Sequence, residues 1–160
     1  MGMNMRGWGE LLGFIAISQC AGLVGSLFTF SAIPTWYATL TKPELTPPNW
    51  VFGPVWTTLF TLMGIAAFLV WKKGRRRKAT RAALMVFSAQ LMLNSMWSVL
   101  FFGLEDPSAA FVEIVALWFT IVVMIFLFWK IHKTAAWLLA PYILWVTFAG
   151  YLNYSILLLN

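Results

Sequence analysis

The sequence predicts an all-α membrane protein: a bundle of five transmembrane helices with an ordered, proline- and tryptophan-rich loop between the first and second. Three observations carry this. Hydrophobic residues fill 61% of the 160 positions and charged residues 10%, whereas a soluble domain is about 25% charged, so no water-facing surface can be assembled. Five apolar stretches, about 10–32, 50–71, 82–103, 109–130 and 135–158, each reach the roughly 20 residues that a helix needs to cross the hydrocarbon core. Of the 11 basic residues, all but Lys42 fall in the N-terminus, the 72–81 loop or the 130–134 turn, which is one side of a five-span bundle. Backbone in hydrocarbon must satisfy its own hydrogen bonds, so the spans are helices rather than open strands. No internal repeat divides the chain, and residues 1–160 are read as a single domain.

The first apolar stretch is too long for the core of a cleavable signal peptide, and no A-x-A-like site follows it, so it is expected to remain as a helix. The start, MGMNMR, approaches an N-myristoylation signal, but Arg6 stands where Ser or Thr is required. Ala21 and Gly25, and Gly22 and Ser26, recur four apart; such small residues let another helix approach closely. The pattern serves an intramolecular contact, the default, or a dimer seam. Cys20 is the single cysteine, so no intramolecular disulfide forms.

The loop that follows, WYATLTKPELTPPNWVFGPVW from Trp36 to Trp56, is unusual, because loops are ordinarily polar and pliable. Pro43, Pro47 and Pro48 fix φ and leave the segment little freedom to lose. Asn49, directly after the proline pair, is the predicted N-cap of the second span. Pro54 is placed in the first helical turns, where a missing donor costs least. A stiff segment carrying Trp36, Tyr37, Leu45 and Trp50 can fold over the bundle mouth as a lid, or it can form an interfacial aromatic belt. Residues alone support both.

Lys72, Lys73, Arg75, Arg76, Arg77, Lys78 and Arg81 crowd the next loop, and Lys130 and Lys133 the last turn. The positive-inside rule places the N-terminus and the 72–81 loop in the cytoplasm, and loop 1 and the C-terminus outside, in a multi-pass protein of the cell membrane. That topology, with attraction of the 72–81 loop to anionic lipid, accounts for the net charge of +6; nucleic acid is not needed to explain it.

In the third span Gln90, Asn94, Trp97 and Ser98 share a helical face; in the fifth, Tyr142, Trp145, Ala149 and Asn153 do; in the second, Trp56 follows Phe52 by four. Polar groups in hydrocarbon pair across helices or line a site. Three aromatic and amide faces favour a mostly apolar pocket for a flat hydrophobic ligand. Glu113 lies about one turn past the acidic Glu105-Asp106-Pro107 turn, where its carboxylate reaches water or pairs with a cation or lipid. His132 is the lone histidine and sits in the basic turn, so a histidine-built metal cluster or a Ser-His-Asp arrangement is not expected. No Gly-rich phosphate loop occurs, and no ionisable residue is placed at mid-membrane, which argues against pumps and channels. No cofactor is required. Any chemistry would rest on aromatic side chains acting on a reactive or light-absorbing ligand.

Trp36-Tyr37, KPELTPPNWVFGPVWTTLF, QLMLNSMWSVLFFG and PYILWVTFAGYLNYSI, taken together with their spacing, resemble the tryptophan-rich sensory protein or translocator protein family (TspO/MBR), also called peripheral-type benzodiazepine receptors. The resemblance spans all five predicted helices. It implies a five-helix bundle, often a homodimer, with a pocket capped by the first loop. It also implies porphyrin ligands such as protoporphyrin IX and haem, cholesterol in animals, and synthetic isoquinoline carboxamides and benzodiazepines. Light-dependent protoporphyrin degradation by some bacterial members is a further implication; transport of porphyrin, lipid or sterol is the alternative. By position, Tyr37, Pro47, Trp56, Asn94, Trp97 and Trp145 match pocket residues, and Tyr37, Trp56 and Trp145 match the aromatics tied to porphyrin breakdown. Trp50, Tyr142 and Ala149, from the loop and face patterns, complete the expected ligand-binding set. Two departures stand out. Many members read K-P-x-W-x-P-P, where this chain has Leu45, and no Lys or Arg follows Tyr154 to complete the animal cholesterol motif.

Overall fold

A computed structural model describes residues 5–74 and 76–160. Its elements are α1 (Met5–Ala32), α2 (Trp36–Thr39), α3 (Asn49–Lys72), α4 (Lys78–Ser98), α5 (Pro107–Ile131), α6 (Lys133–Trp137) and α7 (Ala140–Leu159), with a π-helical turn at Val99–Gly103 extending α4. No strand occurs among the described residues. Five helical segments are long and apolar enough to cross a membrane: α1, α3, α4 with its π-turn, α5, and α6 with α7. They correspond to the five expected spans. Residues 1–4 of the myristoylation-like start, and Arg75 of the basic loop, lie outside the described residues.

Local chemistry sets the ends. The Asp106 carboxylate accepts from the amides of Ser108 and Ala109, each at 3.0 Å, and Pro107 occupies the first turn; both are strong starts for α5. At α3 the expectation was wrong. Asn49 is already helical, Pro48 stands at the cap position, and no side chain caps this end; the Val51 amide instead donates to the Pro48 carbonyl at 2.9 Å. Pro54 therefore lies inside the helix, past the four donors that are free at any helix start. It removes the bond that would end on the Trp50 carbonyl.

The core runs through α3, α4, α5 and α7 around Met63, Leu117, Ile121, Met124 and Phe128. α1 docks against its outside by backbone proximity. A Cβ on Gly64 would lie 2.6 Å from Cα of Ile15, and one on Gly22 would strike the Phe60 ring at 2.4 Å. Gly25 faces Ser98, and Ser95 Oγ donates to the Ala21 carbonyl at 2.8 Å. Gln19 Nε2 donates to the Thr57 carbonyl at 2.9 Å and to Thr61 Oγ1 at 3.0 Å. The small-residue pattern of the first span is thus used within the chain.

The Gly64 contact is backbone against backbone, which a larger side chain cannot relieve by changing rotamer. Gly64→Ala should destabilise by about 1–3 kcal/mol, lowering the melting temperature in detergent. Gly9→Ala, where an added Cβ meets nothing within 4 Å, should leave it unchanged or slightly raised. Equal melting of the two variants would contradict this docking of α1.

Candidate ligand cavity

At the bundle end that carries α2, the helices part around a cavity of about 480 Å³, within the range of roughly 300–1,000 Å³ common for small-molecule sites. Gly22 and Gly25 of α1 line one wall. Phe52 and Trp56 of α3, Asn94 and Trp97 of α4, and Trp145 and Ala149 of α7 supply the others, and Tyr37 reaches in from α2. No charged side chain lines it among the described residues.

Each indole is held by a second ring. Trp56 stacks on Phe60 at 5.5 Å, Trp97 stacks on Phe101 at 4.9 Å, and Trp145 stands edge-on to Phe52 at 5.9 Å. Such aromatic pairs add about 0.5–1.5 kcal/mol beyond burial and fix the ring planes. Trp97 Nε1 also donates to Asn153 Oδ1 at 3.0 Å, while Asn153 Nδ2 donates to the Pro107 carbonyl at 2.8 Å. The Trp145 Nε1–H is buried without an acceptor among the described residues.

Tyr142 lies elsewhere than its helical face suggests. It is fully buried beneath the cavity, outside its lining. Its hydroxyl accepts from Asn94 Nδ2 at 3.0 Å and donates to Gln90 Oε1 at 2.8 Å. Asn94 thus serves both the cavity wall and the interhelical bonding that its residue type allowed. Pro47 is half-buried in the loop and also outside the lining, whereas Trp50 lines the rim with its ring largely exposed. Tyr37, Trp50, Trp56, Asn94, Trp97, Trp145 and Ala149 are therefore the expected residues that meet at one cavity.

Loop 1 divides between the two uses its composition suggested. Its start folds onto the bundle: Trp36 packs edge-on to Phe101, and the buried Tyr37 sits against Phe101 and Phe102. Burial pushes the Tyr37 phenol above its ordinary range, so it keeps its proton and stays a hydrogen-bond donor. Further on, Leu45 and Trp50 are exposed in the manner of an interfacial belt. Two features invisible to periodicity hold the covering part down. The π-helical turn, closed by the Leu104 amide on the Val99 carbonyl at 2.8 Å, redirects Phe101 and Phe102; such bulges frequently mark functional sites. The Asn160 side-chain amide clasps Thr41 from both directions, accepting from its N–H at 2.9 Å and donating to its carbonyl at 3.0 Å.

Glu113 does not reach water as expected. It is buried on α5, and neither carboxyl oxygen has a hydrogen-bond partner among the described residues. Its place on the core side of α5, beside Ala110 and Leu117, explains why. No cluster of three or more His, Cys, Asp or Glu able to hold a metal ion is present among the described residues.

Comparison with known proteins agrees along nearly the whole chain. A sequence model of the TspO/MBR family matches residues 14–159. The tryptophan-rich protein TspO of Chlorobaculum tepidum is 44% identical over 146 residues, which cover 91% of this chain and 92% of that one. Its namesake in Archaeoglobus fulgidus is 43% identical over 155 residues, covering 94% and 97%. The translocator protein of Homo sapiens is 36% identical over 151 residues, covering 93% and 89%.

Asn160→Ala should loosen loop 1 without unfolding the bundle. A hydrogen bond contributes about 0.5–1.5 kcal/mol net, so amide exchange at residues 36–42 should quicken severalfold while the melting temperature holds. Unchanged exchange there would contradict a role for the clasp.

Proposed function

We propose that this chain, which belongs to the TspO/MBR family, is an integral membrane receptor or sensor for porphyrins, protoporphyrin IX or haem, and for related flat hydrophobic ligands. One observation carries the reading: the indoles of Trp56, Trp97 and Trp145, from three different helices, border the same uncharged cavity. A tetrapyrrole is a broad apolar plane, and each ring packed on it contributes about 0.5–1.5 kcal/mol beyond burial. Tyr37 and Asn94 orient its polar substituents. Trp50 and Ala149 border the ligand; Tyr142 and Pro47 support the site, from below and from the loop. Light-dependent degradation is part of the proposal, with Tyr37, Trp56 and Trp145 as the electron-rich groups touching the excited ring.

The protein is a multi-pass membrane protein, and for its setting we propose the cell membrane. The basic end, with Lys72, Lys73, Arg76, Arg77 and Lys78 exposed, faces the cytoplasm and anionic lipid; loop 1 and the C-terminus face outside. A second copy, if it docks, uses a surface other than the Gly22 and Gly25 stripe, which is occupied within the chain. A transporter for porphyrin or lipid is the rival that the name of the human relative invites. It predicts vectorial flux into sealed vesicles, which a receptor does not.

Trp145→Phe keeps an aromatic ring but loses indole area and the Nε1–H. Protoporphyrin should bind about two- to tenfold more weakly and bleach more slowly under illumination, with the melting temperature unchanged. Titration curves and bleaching rates indistinguishable from wild type would remove Trp145 from the site.

A further inference from the structure

The cavity is uncharged, yet the end of the bundle at which it lies holds a single fixed cation among the described residues. Among the described residues, every Lys and Arg except Lys42 stands at the opposite end or in the connections there. Lys42 is half-buried rather than waving in solvent. Its Nζ donates to the Leu40 carbonyl at 3.2 Å and lies 4.7 Å from the centroid of the Tyr37 ring, a cation–π distance. Tyr37 in turn lines the cavity. No carboxylate comes within ion-pair distance of Lys42 among the described residues. The acids at this end are otherwise placed: Glu44 and Glu105 are exposed, Asp106 is engaged by the amides at the start of α5, and Glu113 is buried within the bundle on α5.

Lys42 stands outside the lining, against the Tyr37 ring that forms part of it; we propose that it is a carboxylate-recognition site beside the cavity, meeting the acid group of a ligand whose apolar body lies among Trp56, Trp97 and Trp145. This rests on the receptor reading and narrows it to amphipathic acids. A chain leaving the cavity past the edge of Tyr37 meets an ammonium held by one backbone carbonyl and one ring face, with donor capacity to spare. The partly desolvated position strengthens the pair relative to one in open water. The remote basic residues cannot substitute, since a span of the bilayer core separates them from this end.

The test is a dark titration of the full-length protein in detergent at neutral pH, with protoporphyrin IX, which has two carboxylates, and with its dimethyl ester, which has none. Wild type should favour the diacid over the ester about three- to tenfold more than Lys42→Gln does, because glutamine keeps an amide donor for Leu40 but carries no charge. Lys42→Arg should retain the preference. Comparing the diacid-to-ester ratio between proteins cancels the different partition of the two porphyrins into the micelle. Ester binding retained by all three proteins, with a ratio that Lys42→Gln leaves unmoved, overturns the assignment while sparing the receptor reading. Failure of both porphyrins to bind wild type overturns both.

Discussion

Hydrocarbon gives a stray amide or hydroxyl no water to turn to, so polar side chains inside the bundle must find one another. Gln90, Tyr142 and Asn94 do so in a single relay that fastens α4 to α7, and Trp97, Asn153 and the Pro107 carbonyl form a second that ties both helices to the start of α5. The cavity lies above the first relay and beside the second. These bonds fix the spacing of α4 and α7 from within, and the glycines of α1 let that helix pack closely on Phe60 and Ser98 beside the cavity.

What the helices leave open, the aromatics shape. Stacked or edge-on neighbours hold each wall indole, so the cavity is formed before any ligand arrives. A preformed site spends little of its binding free energy on ordering. The roof is made differently. A π-helical turn turns two phenylalanines toward Tyr37, and one amide side chain at residue 160 clamps the loop backbone. Charge is likewise divided by position: among the described residues, basic side chains crowd one end of the bundle and the cavity end keeps only Lys42.

The five spans were legible because hydropathy over some twenty residues is a strong signal; the start of the second span follows from the proline pair, whereas Pro107, read as part of the acidic turn, opens α5 itself. The helical faces were legible too, since Trp145, Ala149 and Asn153 do share the cavity side of α7. Periodicity, however, reports the face and not the depth. Tyr142 belongs to that face yet lies seven residues below Ala149, about 10 Å at 1.5 Å per residue, which puts it under the floor. Glu113 was misjudged for the opposite reason: its distance from the helix end was right, but its face was not weighed. The Asn160 clasp joins residues 119 apart, and the π-turn depends on a hydrogen bond shifted by one position; neither leaves a local pattern to read.

The central claim is that the space between Trp56, Trp97 and Trp145 is the receptacle for a flat ligand. Ala149→Phe fills that space from α7 while leaving the three indoles and both polar relays in the sequence. Protoporphyrin affinity, read by fluorescence in the dark, is the decisive measurement. The account predicts a loss of about fivefold or more, since forcing an extra ring against an occupant costs on the order of 1–3 kcal/mol, with the melting temperature preserved. An unchanged dissociation constant in a folded variant would place the ligand somewhere else.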